Sequence, residues 1–291
     1  MENKMMSVGF IGVGSIGAPM AKRLIQSGYQ LCVCDQNAEA LKNFSNLGAK
    51  TTEKPSDCAV CDFVIVMVAN DAQVQEVLEG PEGLLNSIDA DKTLYLAVMS
   101  TVLPSTVQML APLCAKKNVR LLDAPVSGFP TRAAEGKLSI MVGGDSKDFE
   151  AMQPIFKVMG ENIHHMGELG TGEISKLVNN ILGITNLFLG VEAMLTAQKS
   201  GMDLKKLTSV MDKSSGRNFA TQDWEKGRAV FQTFSQSDDL AKVAYDLSLK
   251  DLEHAKKLAE EVDVKSPFLD HIIRAFQSFS PEELKEQWHA V

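Results

Sequence analysis

The sequence predicts an α/β chain in two parts, an N-terminal doubly wound parallel sheet and an all-α C-terminal domain, joined by one long helix. Three observations predict it. Short apolar runs alternate with stretches of helical spacing through the first half, the order that builds strand–helix–strand units. A proline-free apolar segment then opens at Gly170-Thr171-Gly172 and runs past Leu195 to Ala197. Beyond it only helical spacing recurs. The 291 residues exceed one typical core. They divide into a sheet domain at 1–165, the long helix at 166–200 and a helical domain at 201–291.

The first strand is Val8-Gly9-Phe10-Ile11, a short apolar run of the kind buried in parallel sheets. The turn Gly12-Val13-Gly14-Ser15-Ile16-Gly17 follows at once, then helical spacing from Ala18 to Ile25. Leu31-Cys32-Val33-Cys34 is the second strand, and it ends in Asp35. Strand, three-glycine turn, helix, strand and acidic residue form the dinucleotide-binding fingerprint of a Rossmann domain in its required context. Its first glycine makes the turn, its second admits the pyrophosphate and its third lets helix and strand pack closely. The alternative is a glycine turn that binds nothing. Asp35 can accept from a ribose 2′-hydroxyl and would repel a 2′-phosphate. Gln36 and Asn37 bring no arginine to receive one, so NAD is the expected cofactor rather than NADP.

The alternation continues with a helix at 38–47, a strand at 62–68, a short helix at 72–78 and a strand at 93–98. A helix comes next at 104–116, with Pro104 in its first turn, then strands at 119–123 and 138–142 and a helix at 148–159. Ligands of such sheets bind outside the carboxyl ends of the strands. Attention therefore falls on Val68-Ala69-Asn70, on Met99-Ser100-Thr101 and on Ala124-Pro125-Val126-Ser127-Gly128. Thr101 could equally cap the next helix. After the long helix, residues 204–211, 219–231, 240–262, 268–279 and 281–288 read as helices.

The long helix is apolar on nearly every side, which predicts burial. Lys176, Asn179, Asn180, Asn186 and Glu192 argue against a membrane span. Lys176 and Asn180 share one face, being four residues apart. A lysine and an amide together in a buried helix suggest a site. The plainer reading of Lys176 is a stem laid along apolar surface with its amine in water.

The net charge of −8 argues against nucleic acid as a partner. No long apolar leader precedes the first strand, so the cytoplasm is the expected compartment. Five cysteines include Cys32-x-Cys34 and Cys58-x-x-Cys61, with Cys114 alone. No second pair completes a zinc set, so reduced core thiols are expected, with no metal. His164-His165 reads as a pair at a strand end.

The chain resembles the β-hydroxyacid dehydrogenase family, which includes 3-hydroxyisobutyrate dehydrogenase and tartronate semialdehyde reductase. Four motifs in order carry the resemblance: residues 9–21 around the glycine turn, Asp123-Ala124-Pro125-Val126-Ser127-Gly128, Gly170-Thr171-Gly172 through Lys176 to Asn180, and Lys250-Asp251-Leu252. The resemblance implies Lys176 as the catalytic lysine and Asn180 as the amide holding the substrate's reacting oxygen. It implies Ser127 and Gly128 at the substrate carboxylate, with Phe129 beside them. Val68, Ala69 and Thr101 would line the nicotinamide end, and Lys250 would contact the cofactor. Thr101 would also touch substrate. The substrate would be a small carboxylate, a 3-hydroxy acid or its semialdehyde, and the assembly a homodimer or homotetramer. Phe129 stands where the family usually has a second glycine, and its ring would narrow the pocket or make it more apolar. Arg132 is either a cationic contact for an acidic substrate or a solvated loop residue. Two other readings are a reductase acting on an imine or another small acid, against which Lys176 argues, and a non-catalytic NAD-binding scaffold.

Overall fold

The computed structural model describes residues 6–89 and 91–290. Most of the N-terminal stretch that bears on a leader, residues 1–5, lies outside the described residues. The chain forms two compact units, Met1–Lys176 and Leu177–Val291.

In the first unit, strands β1 (Ser7–Ile11), β2 (Gln30–Cys34), β3 (Lys50–Thr52), β4 (Phe63–Val66), β5 (Leu94–Val98) and β6 (Val119–Asp123) are parallel, in the order β3-β2-β1-β4-β5-β6. Side chains alternate between two cores. Val8, Phe10, Phe63, Ile65 and Ala97 join one face, while Ile11, Val64, Val66, Leu96 and Val98 join the other. That two-sided burial is why these strands read as continuous apolar runs. Helix α1 (Gly17–Gln26) buries Met20, Ala21 and Leu24, and α2 (Ala38–Asn46) buries Leu41 and Phe44. Helix α3 (Asp71–Glu79) buries Val74 and Leu78, and α4 (Pro104–Lys116) buries Val107, Leu110 and Cys114. Asn37 caps α2 and Asn70 caps α3 through their side-chain oxygens.

The sheet departs from the all-parallel order that the alternation predicts. Strand β7 (Val126–Ser127) and the end of β6 both pair antiparallel with β8 (Leu138–Gly143), and β9 (Gly160–Gly167) runs parallel to β8 on its far side. The pairs Asp123↔Gly143, Val126↔Ile140 and Ser127↔Ser139 keep one register, so β6 and β7 are a single strand line broken at Ala124-Pro125. Helix α5 (Phe129–Glu135) fills a stretch where the sequence suggests no element, and α6 (Ser146–Met159) packs Met152, Ile155, Phe156 and Met159 into the core. His165 accordingly lies in a strand, bonded to the Gly144 carbonyl at 2.8 Å and stacked on Phe149. All five cysteines are free and buried.

The second unit is helical. Helix α7 (Thr171–Lys199) runs into it across the boundary, and α8 (Leu204–Met211), α9 (Trp224–Phe234), α10 (Asp238–Glu261), α11 (Pro267–Gln277) and α12 (Pro281–Ala290) complete it. Its core gathers Leu187, Val191, Phe231, Leu252, Ile273 and Trp288, with Phe188 edge-on to Phe276 at 4.4 Å. The all-round burial expected of α7 is corrected here. Val178, Leu182 and Leu189 are 51%, 65% and 51% exposed, because the core takes up the residues Leu177, Leu187, Val191 and Met194 of this helix and leaves other apolar side chains outside it.

Candidate active site

The glycine turn sits between the end of β1 and the start of α1, with the Gly12 N–H donating to the Cys34 carbonyl at 2.9 Å. A Cβ on Gly17 would overlap the Gly12 carbonyl oxygen, so its glycine is required by helix-to-strand packing. A Cβ on Gly14 would meet no protein atom within 4 Å. Packing therefore does not require that glycine, and the open space beside it is where the dinucleotide fingerprint places the pyrophosphate. Val13, Gly14, Ser15 and Ile16 lead into the N-terminus of α1, where N–H groups and the helix dipole favour a phosphate. The Val13 N–H is already used, because it donates to Asp35 Oδ2 at 2.7 Å, while Asn37 N–H donates to Oδ1 at 2.8 Å. Asp35 thus both shapes the turn and retains lone pairs for a ribose hydroxyl. These residues fit a dinucleotide.

The ends of β4 and β5 are tied to one another. Val68 N–H donates to Ser100 Oγ at 2.8 Å, and Ala69 N–H to Gln73 Oε1 at 2.9 Å. With their amides engaged, Val68 and Ala69 present carbonyls and side chains. Thr101 is half-buried, and the N-cap position of α4 is Leu103, which carries no side-chain bond. Asp71 serves that end instead, accepting from Leu103 N–H at 2.9 Å and from Thr106 Oγ at 2.6 Å. Ser127 and Gly128 lie at the end of β7, both half-buried. Gly128 has φ +146° and Phe129 has φ +61°, a conformation that strains a bulky side chain. Arg132 is engaged within its own loop and with β9: its Nε donates to the Lys137 carbonyl and its Nη2 pairs with Glu161 Oε1, both at 2.9 Å.

Lys176 is the last residue of the first unit and is 8% exposed. Two fully buried carboxylates accompany it. Asp123, at the end of β6, accepts from Gly170 N–H at 2.7 Å and Glu173 N–H at 2.8 Å, and Glu173 Oε2 accepts from Val102 N–H at 3.2 Å. Burial raises the Asp123 carboxyl above the usual carboxylate range, against the backbone N–H groups that favour its charge. In the helical unit, Asn180 Nδ2 donates to Asp251 Oδ2 at 2.7 Å, and Lys250 Nζ pairs with Asp251 Oδ1 at 3.1 Å. The residues that sequence reasoning did not single out as site residues are therefore Glu173, Asp123 and Asp251. Asp123 and Asp251 stood inside recognised motifs; Glu173 stood in the lysine's own motif, one turn before it.

Residues 7–167 match the NAD binding domain of 6-phosphogluconate dehydrogenase. Residues 170–290 match the model described as NAD-binding of NADP-dependent 3-hydroxyisobutyrate dehydrogenase. The chain is 33% identical to 2-(hydroxymethyl)glutarate dehydrogenase of Eubacterium barkeri over 276 residues, which is 94% of this chain and 89% of that one. It is 34% identical to the NAD-dependent L-serine dehydrogenase of Pseudomonas aeruginosa, covering 90% of this chain and 88% of the relative. Among solved structures, Mycobacterium tuberculosis 3-hydroxyisobutyrate dehydrogenase with L-serine superposes with a TM-score of 0.82 at 22% identity, covering 98% of this chain and 99% of that one. Its fold and its motifs agree from one end to the other: the chain belongs to the β-hydroxyacid dehydrogenase family.

Proposed function

We propose that the protein transfers a hydride between NAD(H) and a small 3-hydroxy acid or its semialdehyde, with Lys176 as general acid and base. Its relatives are NAD(P)-dependent hydroxyacid dehydrogenases, and the chain is an oxidoreductase of that kind. The observation that carries the finer reading is the burial of Lys176. The residue is 8% exposed, in a turn of α7 anchored to the strand line that continues to Ser127, and that supports an amine held inside the site over one left in water. A buried lysine is costly unless its surroundings use the charge or shift the proton.

NAD, when bound, supplies the hydride acceptor. The chain's residues do the rest. Ser127 Oγ and the Gly128 N–H hold the substrate carboxylate, and the Phe129 ring limits the bulk that fits beside it. Oxidation takes the hydroxyl proton onto Lys176 Nζ as the carbinol C–H breaks; reduction returns that proton to the oxygen. Asn180 holds the reacting oxygen, fixed by its bond to Asp251. Asp35 favours NAD over NADP, and Lys250 is a cofactor contact. The exposed Val178, Leu182 and Leu189 supply a subunit face of a homodimer or homotetramer. Lys176, Asn179 and Asn180 on the same helix oppose lipid as the occupant.

Lys176→Ala tests the reading. Turnover with a panel of 3-hydroxy acids and semialdehydes should vanish while NADH still binds, and a variant that turns over like the parent ends the assignment.

A further inference from the structure

Helix α7 begins after Gly170, a residue with no side chain to cap it. The orphan N–H groups of a helix start need acceptors, and here they come from far away in sequence. Both oxygens of Asp123 are used, one on Gly170 N–H and one on Glu173 N–H. The fit leaves no slack: a Cβ on Gly172 would overlap the Met141 carbonyl oxygen and stand 2.8 Å from Asp123 Oδ2. Glu173 points the other way along the strand ends. Its carboxylate, with no exposed surface, accepts from the N–H of Val102, the residue after Thr101. Ser100, on the other side of Thr101, receives Val68 N–H. The ends of β4, β5 and β6 are thereby stitched to the first turn of α7, and Lys176 stands one turn beyond Glu173 on that helix.

We propose that Asp123 and Glu173 are positioning residues for Lys176. Asp123 fixes where α7 starts, and Glu173 fixes its first turn to the loop of Thr101. The lysine amine and the threonine hydroxyl then belong to one rigid frame and do not move independently. This rests on Lys176 as the acid and base, and it adds what holds that group in register with the strand ends. Reaction geometry is steep enough for the frame to matter, since a displacement of about 1 Å can lower a rate by about a hundredfold.

The test compares Glu173→Gln, which keeps an oxygen for the Val102 N–H, with Glu173→Met, which keeps the volume and removes the acceptor. Each is measured by steady-state kinetics, NADH titration and thermal melting, beside Lys176→Ala and the Glu173→Met/Lys176→Ala double variant. Glu173→Met should lower kcat by about tenfold or more, with KM for NAD and NADH affinity within about twofold of the parent. Glu173→Gln should recover most of that loss. In the Lys176→Ala background, where turnover is already lost, the Met substitution should leave NADH affinity where Lys176→Ala alone sets it, because its effect runs through the lysine. A Met variant that melts earlier yet keeps the parent's kcat overturns the proposal, and so does a Gln variant as impaired as Met. If Glu173→Met does not fold, Glu173→Asp replaces it: it withdraws the carboxylate by one methylene and is judged by the same split. Parent-like turnover in Lys176→Ala strikes at the catalytic reading itself and is seen without any Glu173 variant.

Discussion

Replacing Asp35 by Asn separates the two tasks of that carboxylate. In the parent, Oδ2 accepts from Val13 N–H at 2.7 Å and Oδ1 from Asn37 N–H at 2.8 Å. Asparagine has one carbonyl oxygen, so one of these amides faces an NH₂ group and loses its partner. A charge-assisted bond of this kind contributes about 1.5–3 kcal/mol, and the half-exposed position puts it near the lower end. The NAD ribose also loses a charged acceptor, so kcat/KM for NAD should fall about tenfold. For NADP the balance reverses. Two unit charges about 5 Å apart repel by about 3 kcal/mol at an effective dielectric of about 20, and by under about 1 kcal/mol in bulk water. A half-exposed carboxylate falls between these limits, so removing it should raise kcat/KM for NADP by about 10- to 30-fold. NADP should not overtake NAD by much, since neither Gln36 nor Asn37 offers a cation to the added phosphate. Absorbance at the reduced nicotinamide band with each cofactor, at low and high salt, gives the ratios directly. The parent's discrimination should shrink with salt, and the variant's should not. A variant with unchanged NADP efficiency and unchanged salt response would refute the assignment of Asp35 as the selecting charge.

The strained Phe129 should reverse an ordinary preference. At φ +61°, Phe129→Gly should be more stable than Phe129→Ala by about 1–2 kcal/mol in chemical denaturation, although alanine is normally the better helical residue. The glycine variant should also accept bulkier carboxylates, read as kcat/KM across a substrate series. Burial raises the Cys34 and Cys114 thiols from 9.0 to about 12. The unfolded thiols ionise from about pH 9 while the folded ones stay neutral, so stability falls as pH rises through that interval, by about 1.4 kcal/mol per pH unit for each group. Cys114→Ala should flatten the alkaline limb by one such slope, and an unchanged slope counts against the burial argument. Leu182→Glu places a charge on the exposed face of α7; if that face is the proposed subunit interface, sedimentation velocity at micromolar concentration should show a smaller assembly than the parent's, and an unchanged one locates the interface elsewhere.

The cofactor half was legible because its signals are local. The glycine turn, the flanking strands and Asp35 fall within one stretch, and α4 and β6 have the bounds their spacing implied. Strand β9 was signalled only at its His164-His165 end because it is polar and largely exposed, and β3 went unseen because it is three residues long at the sheet edge. The reversal at β8 has no local signature; strand direction is set by α5, which opens on two consecutive positive-φ residues, one of them not a glycine. Hydropathy reported that α7 is apolar and could not report what covers it. Lys176 and Asn180 were singled out by spacing and family likeness, while the contacts around them span long separations. Asp123 meets Gly170 across 47 positions and Asn180 meets Asp251 across 71.

The unbroken register of β6 and β7 against β8 governs which changes the protein can absorb. Asp123 and Ser127 are measured off against Gly143 and Ser139 by the same ladder, so one residue inserted between them would shift the hydroxyl to the other side of the strand while leaving the helix anchor behind. The segment from Gly128 to Lys137 obeys no such ruler and need only return the chain to β8. New substrate shapes can therefore be accommodated by lengthening or rewriting that loop, whereas the five residues before it admit substitution only at constant length.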